Sequence, residues 1–359
     1  MSPVFFLLLL ASPNAHLKSF SPDPDTLVCG YEPLEPTAVV ILCVIFTVIS
    51  VLAIFGNLLV GWVIRTSQEI LAPSDVYLFQ LTIADGLLAL TLQFCVAALT
   101  RGWLLGDFLC QLLHIVMDAN FYTSIIFLTC ISIDRYLVIV RARETLKSHQ
   151  KMCSRILCTV VWVLGCALAL PTLSIRFDIS TAWRLTIQGF IRVFGFLVPA
   201  IVMISCYSIT VSRLLLTHGF QKHRAMRVIV TIVVAFLLLW TPYQITMVID
   251  ILLRADLVQH DCDTRRSLNT ALVATHCLAL LHSCINPFLY VAAEEKKDRR
   301  EMIIMLFKLC FLLPLFVANI GNDYIKSLNI SNLTSDLTFT FHISLSFKLT
   351  PKSVIFTTL

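Results

Sequence analysis

The stretch Ile125-Ile126-Phe127-Leu128-Thr129-Cys130-Ile131-Ser132-Ile133-Asp134-Arg135-Tyr136 is an apolar run that ends on an acid and a base side by side. Counted outward, the run occupies about residues 108–140. A helix needs only about 20 mostly apolar residues to cross the hydrocarbon core of a bilayer. Charges at the end of such a helix reach for the membrane surface. Asp134-Arg135-Tyr136 therefore marks where a membrane helix emerges. Working outward, six more stretches of similar character lie at about 38–64, 76–99, 154–171, 190–216, 225–253 and 269–293. The chain is thus expected to be an all-α membrane protein, a seven-transmembrane helix bundle.

Composition agrees. Hydrophobic residues make up 58% and charged residues 14% of the 359 residues, with a mean hydropathy of +0.85. An ordinary soluble domain carries roughly 25% charged residues. No Gly/Ser linker and no internal repeat divides the chain. The expected organisation is a tail over 1–37, one membrane domain over 38–293, and a second tail over 294–359.

The net charge of +5 matters less than its placement. One set of inter-span segments carries Arg65; Arg141, Arg143, Lys147, Lys151 and Arg155; Arg213, Lys222, Arg224 and Arg227; and Lys296, Lys297, Arg299 and Arg300. The other set mixes signs, as with Arg101 near Asp107 or Asp261 and Asp263 near Arg265. The positive-inside rule places the first set in the cytoplasm and the N-terminus outside. These basic residues face a lipid bilayer, and no nucleic acid is expected as a partner. Val4–Ala11 is apolar but follows no basic segment, so it reads either as a signal-like start or as part of the tail.

Polar residues inside spans cost a few kcal/mol each unless paired or wet, so they are informative. Asn57 lies in the first stretch, Asp85 in the second, Asn120 and Ser124 in the third, and His282, Ser283 and Asn286 in the last. A buried carboxylate with hydroxyls and amides from other helices suits a small hard cation such as sodium. It equally suits a hydrogen-bonded cluster that glues helices together. Pro199, Trp240-Thr241-Pro242 and Asn286-Pro287-Phe288-Leu289-Tyr290 put prolines inside the last three spans. Each deletes a backbone hydrogen bond and permits a kink. Kinks at matching depths suggest helices that swing at one end.

Gly56-Asn57, Leu81…Ala84-Asp85, Asp134-Arg135-Tyr136, Trp162, Pro199, Trp240-x-Pro242 and Asn286-Pro287-x-x-Tyr290 together resemble the rhodopsin-like G-protein-coupled receptors. The resemblance implies that Asp134, Arg135 and Tyr136 couple to a G protein, with Arg135 bridging to Asp134 at rest. It implies that Trp240 and Pro242 sit beneath a ligand pocket, and that Tyr207 and Tyr290, beside Asn286 and Pro287, close on Arg135 on activation. Asp85, Asn120, Ser124 and Asn286 would hold an allosteric sodium ion, with no other cofactor.

The phrases Ser132–Val140, Gly195-Phe196-Leu197-Val198-Pro199 and Leu281-His282-Ser283-Cys284-Ile285-Asn286-Pro287 look like chemokine receptors, most closely the CXC type that binds interleukin-8-like ligands. A third-span aspartate facing the pocket, as an aminergic receptor needs, is replaced by Met117, with Asp118 one position along. The acidic tail residues Asp23, Asp25, Glu32 and Glu35, with Tyr31 as a sulfation candidate, suit a basic chemokine. His276 stands where many of these receptors carry a pocket glutamate. Cys29 and Cys262 match the family's tail-to-loop disulfide. Cysteine counting then leaves Cys110 unpaired, because between Pro171 and Pro199 the family's second loop cysteine is missing.

Other departures are a short second extracellular loop, Thr172–Gly189, and Thr91-Leu92-Gln93 in place of Thr-x-Pro. In the tail, the apolar segment 302–320 is expected to lie along the membrane rather than cross it, because Lys308 and Pro314 fall near its middle. The reading is a plasma-membrane chemokine receptor that binds CXC-type chemokines outside and activates an inhibitory-class heterotrimeric G protein inside, promoting leukocyte chemotaxis, with arrestin as a further partner. The alternative is a non-signalling scavenger or a defective isoform. No metal spacing, nucleophile motif or phosphate loop suggests an enzyme.

Overall fold

Runs of branched and aromatic residues with few Gly or Pro leave the backbone one inexpensive option in lipid, the helix, which satisfies its own hydrogen bonds. The computed structural model describes residues 35–66, 73–101, 106–140, 147–172, 181–215, 220–255, 257 and 261–293. These form α1 (Pro36–Thr66), α2 (Pro73–Arg101), α3 (Gly106–Val140), α4 (Lys147–Ala169), α5 (Thr181–Leu215), α6 (Phe220–Arg254), α7 (Cys262–Leu280) and α8 (His282–Ala293). A short 3-10 turn, Leu170–Thr172, follows α4. The last apolar stretch is therefore one span in two pieces, α7 and α8, joined at Leu281. The apolar segment 302–320 and the rest of the C-terminal tail lie outside the described residues, as do residues 1–34.

Six of the described helices contain a segment long and apolar enough to cross a membrane, and α4 supplies a shorter one, Cys153–Ala169. The seven-span expectation holds. Chain neighbours pack side by side from α1 to α4 and from α5 to α7, the short turn after α4 reaches α5, and α8 returns against α1, closing the bundle. At its centre is α3, which touches α2, α4, α5 and α6. Phe46, Phe121, Tyr122, Phe127 and Phe236 fill the interior at under 2% exposure. Large apolar side chains such as Leu58, Trp62, Val163, Ile201 and Leu238 stand outward, the pattern of helices solvated by lipid.

Two helix ends differ from expectation. The fifth span begins at Thr181 rather than near 190, so Trp183–Gly189 is helix and not loop. No proline or glycine interrupts the sequence from Thr181 to Gln188. Gln188 Nε2 also donates to Pro171 O at 2.8 Å, anchoring this extra length to the end of the fourth span. The last span likewise begins earlier, at Cys262, where Asp261 accepts from Thr264 N at 2.9 Å as an N-cap. With Gln93 in place of the expected proline, α2 continues without interruption from Pro73 to Arg101.

Small residues and side-chain hydrogen bonds hold the helices together. A Cβ at Gly165 on α4 would run into the Thr123 methyl group and come 3.2 Å from Thr123 N on α3. Ser50 Oγ donates to Ala89 O at 2.7 Å, tying α1 to α2. Trp162 Nε1 donates to Gln80 Oε1 at 3.0 Å, tying α4 to α2. Pro287 has no N–H for the carbonyl of Ser283, four residues earlier. Asn57 Nδ2 on α1 donates to that carbonyl at 2.9 Å, and also to Ala53 O at 2.9 Å. A proline gap in one helix is thus filled by an amide from another.

Asn57→Ala should therefore leave the Ser283 carbonyl unsatisfied and cost about 1–3 kcal/mol. Adding Pro287→Ala restores a backbone N–H and should recover part of the loss. Thermal denaturation of the purified protein in detergent measures both. Equal melting points for the single and double variants would show that the carbonyl is satisfied in another way.

Candidate functional site

Three helices bring polar side chains to one buried point. Asp85 on α2 is fully buried, and its Oδ2 accepts from Asn286 Nδ2 on α8 at 2.8 Å. Its Oδ1 accepts a longer bond, 3.4 Å, from Asn120 Nδ2 on α3. His282 Nε2 stands 3.4 Å from the same oxygen. A carbonyl can only accept, so the 2.7 Å contact of His282 Nδ1 with Ala279 O makes Nδ1 the donor. Nε2 then faces a carboxylate, which is favourable when a positive charge lies on or between the two groups. Asn120 Oδ1 and Ser124 Oγ, one turn further along α3, are buried without hydrogen-bond partners. A carboxylate and two orphaned neutral oxygens are a donor set that fits a small hard cation. Asp85, Asn120 and Asn286, separated by 35 to 201 positions in the chain, do meet.

Above this cluster, Trp240 on α6 lies 5.3 Å from the His282 ring and 4.5 Å from Phe121 on α3, centroid to centroid. Tyr243, one turn up from Trp240, stacks at 4.9 Å on His276 of α7. His276 is buried, and its Nδ1 has no hydrogen-bond partner. His276, expected from sequence as a ligand contact, is thus joined to Trp240 through Tyr243. Sequence reasoning did not assign the three ion pairs nearby. Asp118 on α3 pairs with Arg192 on α5 at 3.1 Å. Asp250 on α6 pairs with Arg254 at 2.9 Å and with Arg265 of α7 at 2.8 Å. A charge within a predicted span was the available signal for Asp118, Arg192 and Asp250.

At the other end of α3, Asp134, Arg135 and Tyr136 are half-buried. Arg135 Nη2 donates to Ser74 Oγ on α2, and its Nε has no partner. Tyr207 on α5 is buried, with Ser132 of α3 beside its hydroxyl, and it lies within electrostatic reach of Arg135. Pro242 and Pro287 lie inside α6 and α8. Tyr290 is on α8, and its side chain is outside the described residues.

Of the tail residues, Glu35 is exposed just before α1, its carbonyl accepting from Val39 N at 3.1 Å. Asp23, Asp25, Cys29, Tyr31 and Glu32 lie outside the described residues. Cys262 at the start of α7 is disulfide-bonded. Cys110 is 1% exposed near Cys95.

This geometry has known relatives. Residues 56–290 match the family of 7 transmembrane receptors (rhodopsin family). The chain is 37% identical over 288 residues to C-X-C chemokine receptor type 2 of Homo sapiens, covering 76% of this chain and 79% of the relative. It is 39% identical to the same receptor of Gorilla gorilla gorilla, covering 76% and 81%. With C-X-C chemokine receptor type 1 of Homo sapiens the identity is 37%, covering 75% and 81%. The chain belongs to the chemokine receptors of the rhodopsin family. It is a multi-pass protein of the plasma membrane and not an enzyme.

The cation fit has a consequence for this receptor. Sodium chloride should raise the melting temperature of the purified protein above that in choline chloride at equal ionic strength. Asp85→Asn should erase the difference. A wild-type protein indifferent to the choice of salt would make the cluster purely hydrogen-bonded glue.

Proposed function

We propose that this receptor takes a basic CXC-type chemokine on its outer side and activates an inhibitory-class heterotrimeric G protein on its inner side, promoting leukocyte chemotaxis. The orientation, N-terminus outside, rests on the distribution of Lys and Arg among the loops. Asp23, Asp25, Tyr31, Glu32 and Glu35 form an acidic approach that attracts and orients a basic ligand. The Cys262 disulfide, with Cys29 as its partner, pins this tail beside the pocket, where His276 meets the inserted end of the ligand. Cys110 stays outside that pairing.

The observation that carries the reading is the half-satisfied state of Arg135. One nitrogen is bonded to Ser74 and a second, Nε, is orphaned, with Tyr207 within electrostatic reach. Buried polar groups without partners cost about 1–3 kcal/mol each. An arrangement in which the inner ends of α5, α6 and α8 move, bringing Tyr207 and Tyr290 to Arg135 and a G-protein segment between them, satisfies that nitrogen. Pro199, Pro242 and Pro287 supply the weak points in the three helices. Sodium at Asp85, Asn120, Ser124 and Asn286 holds the resting arrangement. Arrestin meets the same inner face, and the bilayer surrounds the rest.

Arg135→Ala should leave chemokine binding within about threefold of wild type and abolish ligand-stimulated nucleotide exchange, since only interactions that differ between two states shift their balance. Normal exchange in that variant would remove the coupling assignment. Absent exchange in the wild type, with chemokine still bound, would make the protein a scavenger. Linkage adds a second expectation. Raised sodium should weaken agonist affinity, and Asp85→Asn should abolish that dependence. Competition binding at varied sodium, with choline replacing it, measures both.

A further inference from the structure

Asp118 and Arg192 are both almost fully buried, their side chains 9% and 4% exposed. Arg192 Nη2 donates to both carboxylate oxygens, at 3.1 and 3.3 Å. His114, one turn away on α3, places Nε2 3.8 Å from Asp118 Oδ2. Such a pair adds little net stability over well-packed apolar side chains, yet removing one partner leaves a buried charge uncompensated. Its physical effect is to select one arrangement of the helices that carry it.

The arrangement it selects is visible one turn deeper. Gly195, three residues after Arg192, approaches α3 so closely that a Cβ there would lie 2.9 Å from Tyr122 Cε1. Phe196 lies 6.3 Å from Phe121, and Phe121 lies 4.5 Å from Trp240, centroid to centroid. Trp240 in turn contacts the His282 ring at 5.3 Å, and His282 Nε2 stands 3.4 Å from Asp85. The ion pair is thus the outer end of a continuous stack leading to the buried polar cluster. Pro199, seven residues beyond Arg192, removes a hydrogen bond from α5 just below the close contact. Asp118 and Arg192 also act electrostatically on His276, whose Nδ1 is orphaned. A charged group brought to His276 therefore acts on the pair as well.

We propose that Asp118 and Arg192 form an interhelical lock that holds α5 against α3 in the resting receptor, and that a charged group of the ligand opens it by taking over one partner. The lock deepens the receptor reading above and rests on it for its effect on signalling. Contact with α3 keeps the Phe196–Phe121–Trp240 stack in place. Release frees the segment of α5 above Pro199, and the stack transmits the change to Asp85.

The test uses the full chain in nanodiscs, without ligand, with two readouts. One is basal nucleotide exchange on a purified inhibitory-class heterotrimer. The other is the distance between spin labels on encoded residues at Leu112 of α3 and Phe190 of α5, both outward-facing. Asp118→Asn and Arg192→Gln should each lengthen or broaden the distance and raise basal exchange about fivefold or more, the lower range of coupling between sites. The charge swap, Asp118→Arg with Arg192→Asp, should return both readouts toward wild type. If a single variant fails to fold, Asp118→Leu with Arg192→Met keeps the volume without buried charge, and the same two changes are expected of it. Folded variants with a wild-type distance overturn the lock. A changed distance with no exchange in any variant, wild type with chemokine included, supports the lock and overturns the G-protein reading instead.

Discussion

A single carboxylate organises the interior. Asp85 is fully buried in a helix that has no water to solvate it, so its charge must be answered by neighbouring helices. Asn286 answers from α8, Asn120 from α3, and His282 from the start of α8. Those contacts bring the second, third and last spans to one point. They also set the His282 ring against Trp240 and Phe236, at 5.3 and 5.4 Å. Much of the site geometry follows from that convergence.

The same rule operates on the backbone. In hydrocarbon an unsatisfied carbonyl is expensive, so an interruption in a helix needs a partner close by. Pro287 creates such an interruption, and Asn57 fills it from another helix. At Leu281 the side chains of His282 and Ser283 turn back onto Ala279 O and Leu280 O, at 2.7 and 2.8 Å. Side chains that compete for helix carbonyls in this way weaken the regular ladder. The last span accordingly divides into α7 and α8 at the level where the polar cluster needs His282 and Asn286 turned inward. A helix broken there, and prolines inside α5 and α6, give three helices weak points in their backbone ladders.

The polar groups are not uniformly satisfied. Asp118 and Asp250 are each matched by arginine, so these two buried acids are already neutralised. At the Asp134-Arg135-Tyr136 end of α3, Arg135 Nε has no partner. Paired charges and unpaired polar atoms therefore lie in the same bundle, and among the latter are His276 Nδ1 and both polar atoms of the Gln244 amide.

The sequence by itself determined the spans, because hydropathy and helix length are local properties and lipid permits few alternatives. It also marked the polar cluster, since a polar residue in an apolar run is conspicuous wherever it falls: Asp85, Asn120 and Asn286 were legible in this way. Helix ends were less so, as the early starts of α5 and α7 show, because a tether such as Gln188 to Pro171 joins two separate spans. Only the tertiary structure decided which charges pair. Nothing local says that Asp118 meets Arg192, 74 residues away, or that Asn57 meets Ser283, 226 residues away. Such pairings depend on helix rotation and close approach, which are fixed by small residues such as Gly165 and Gly195 at the contacts and by the need of every buried polar atom for a partner.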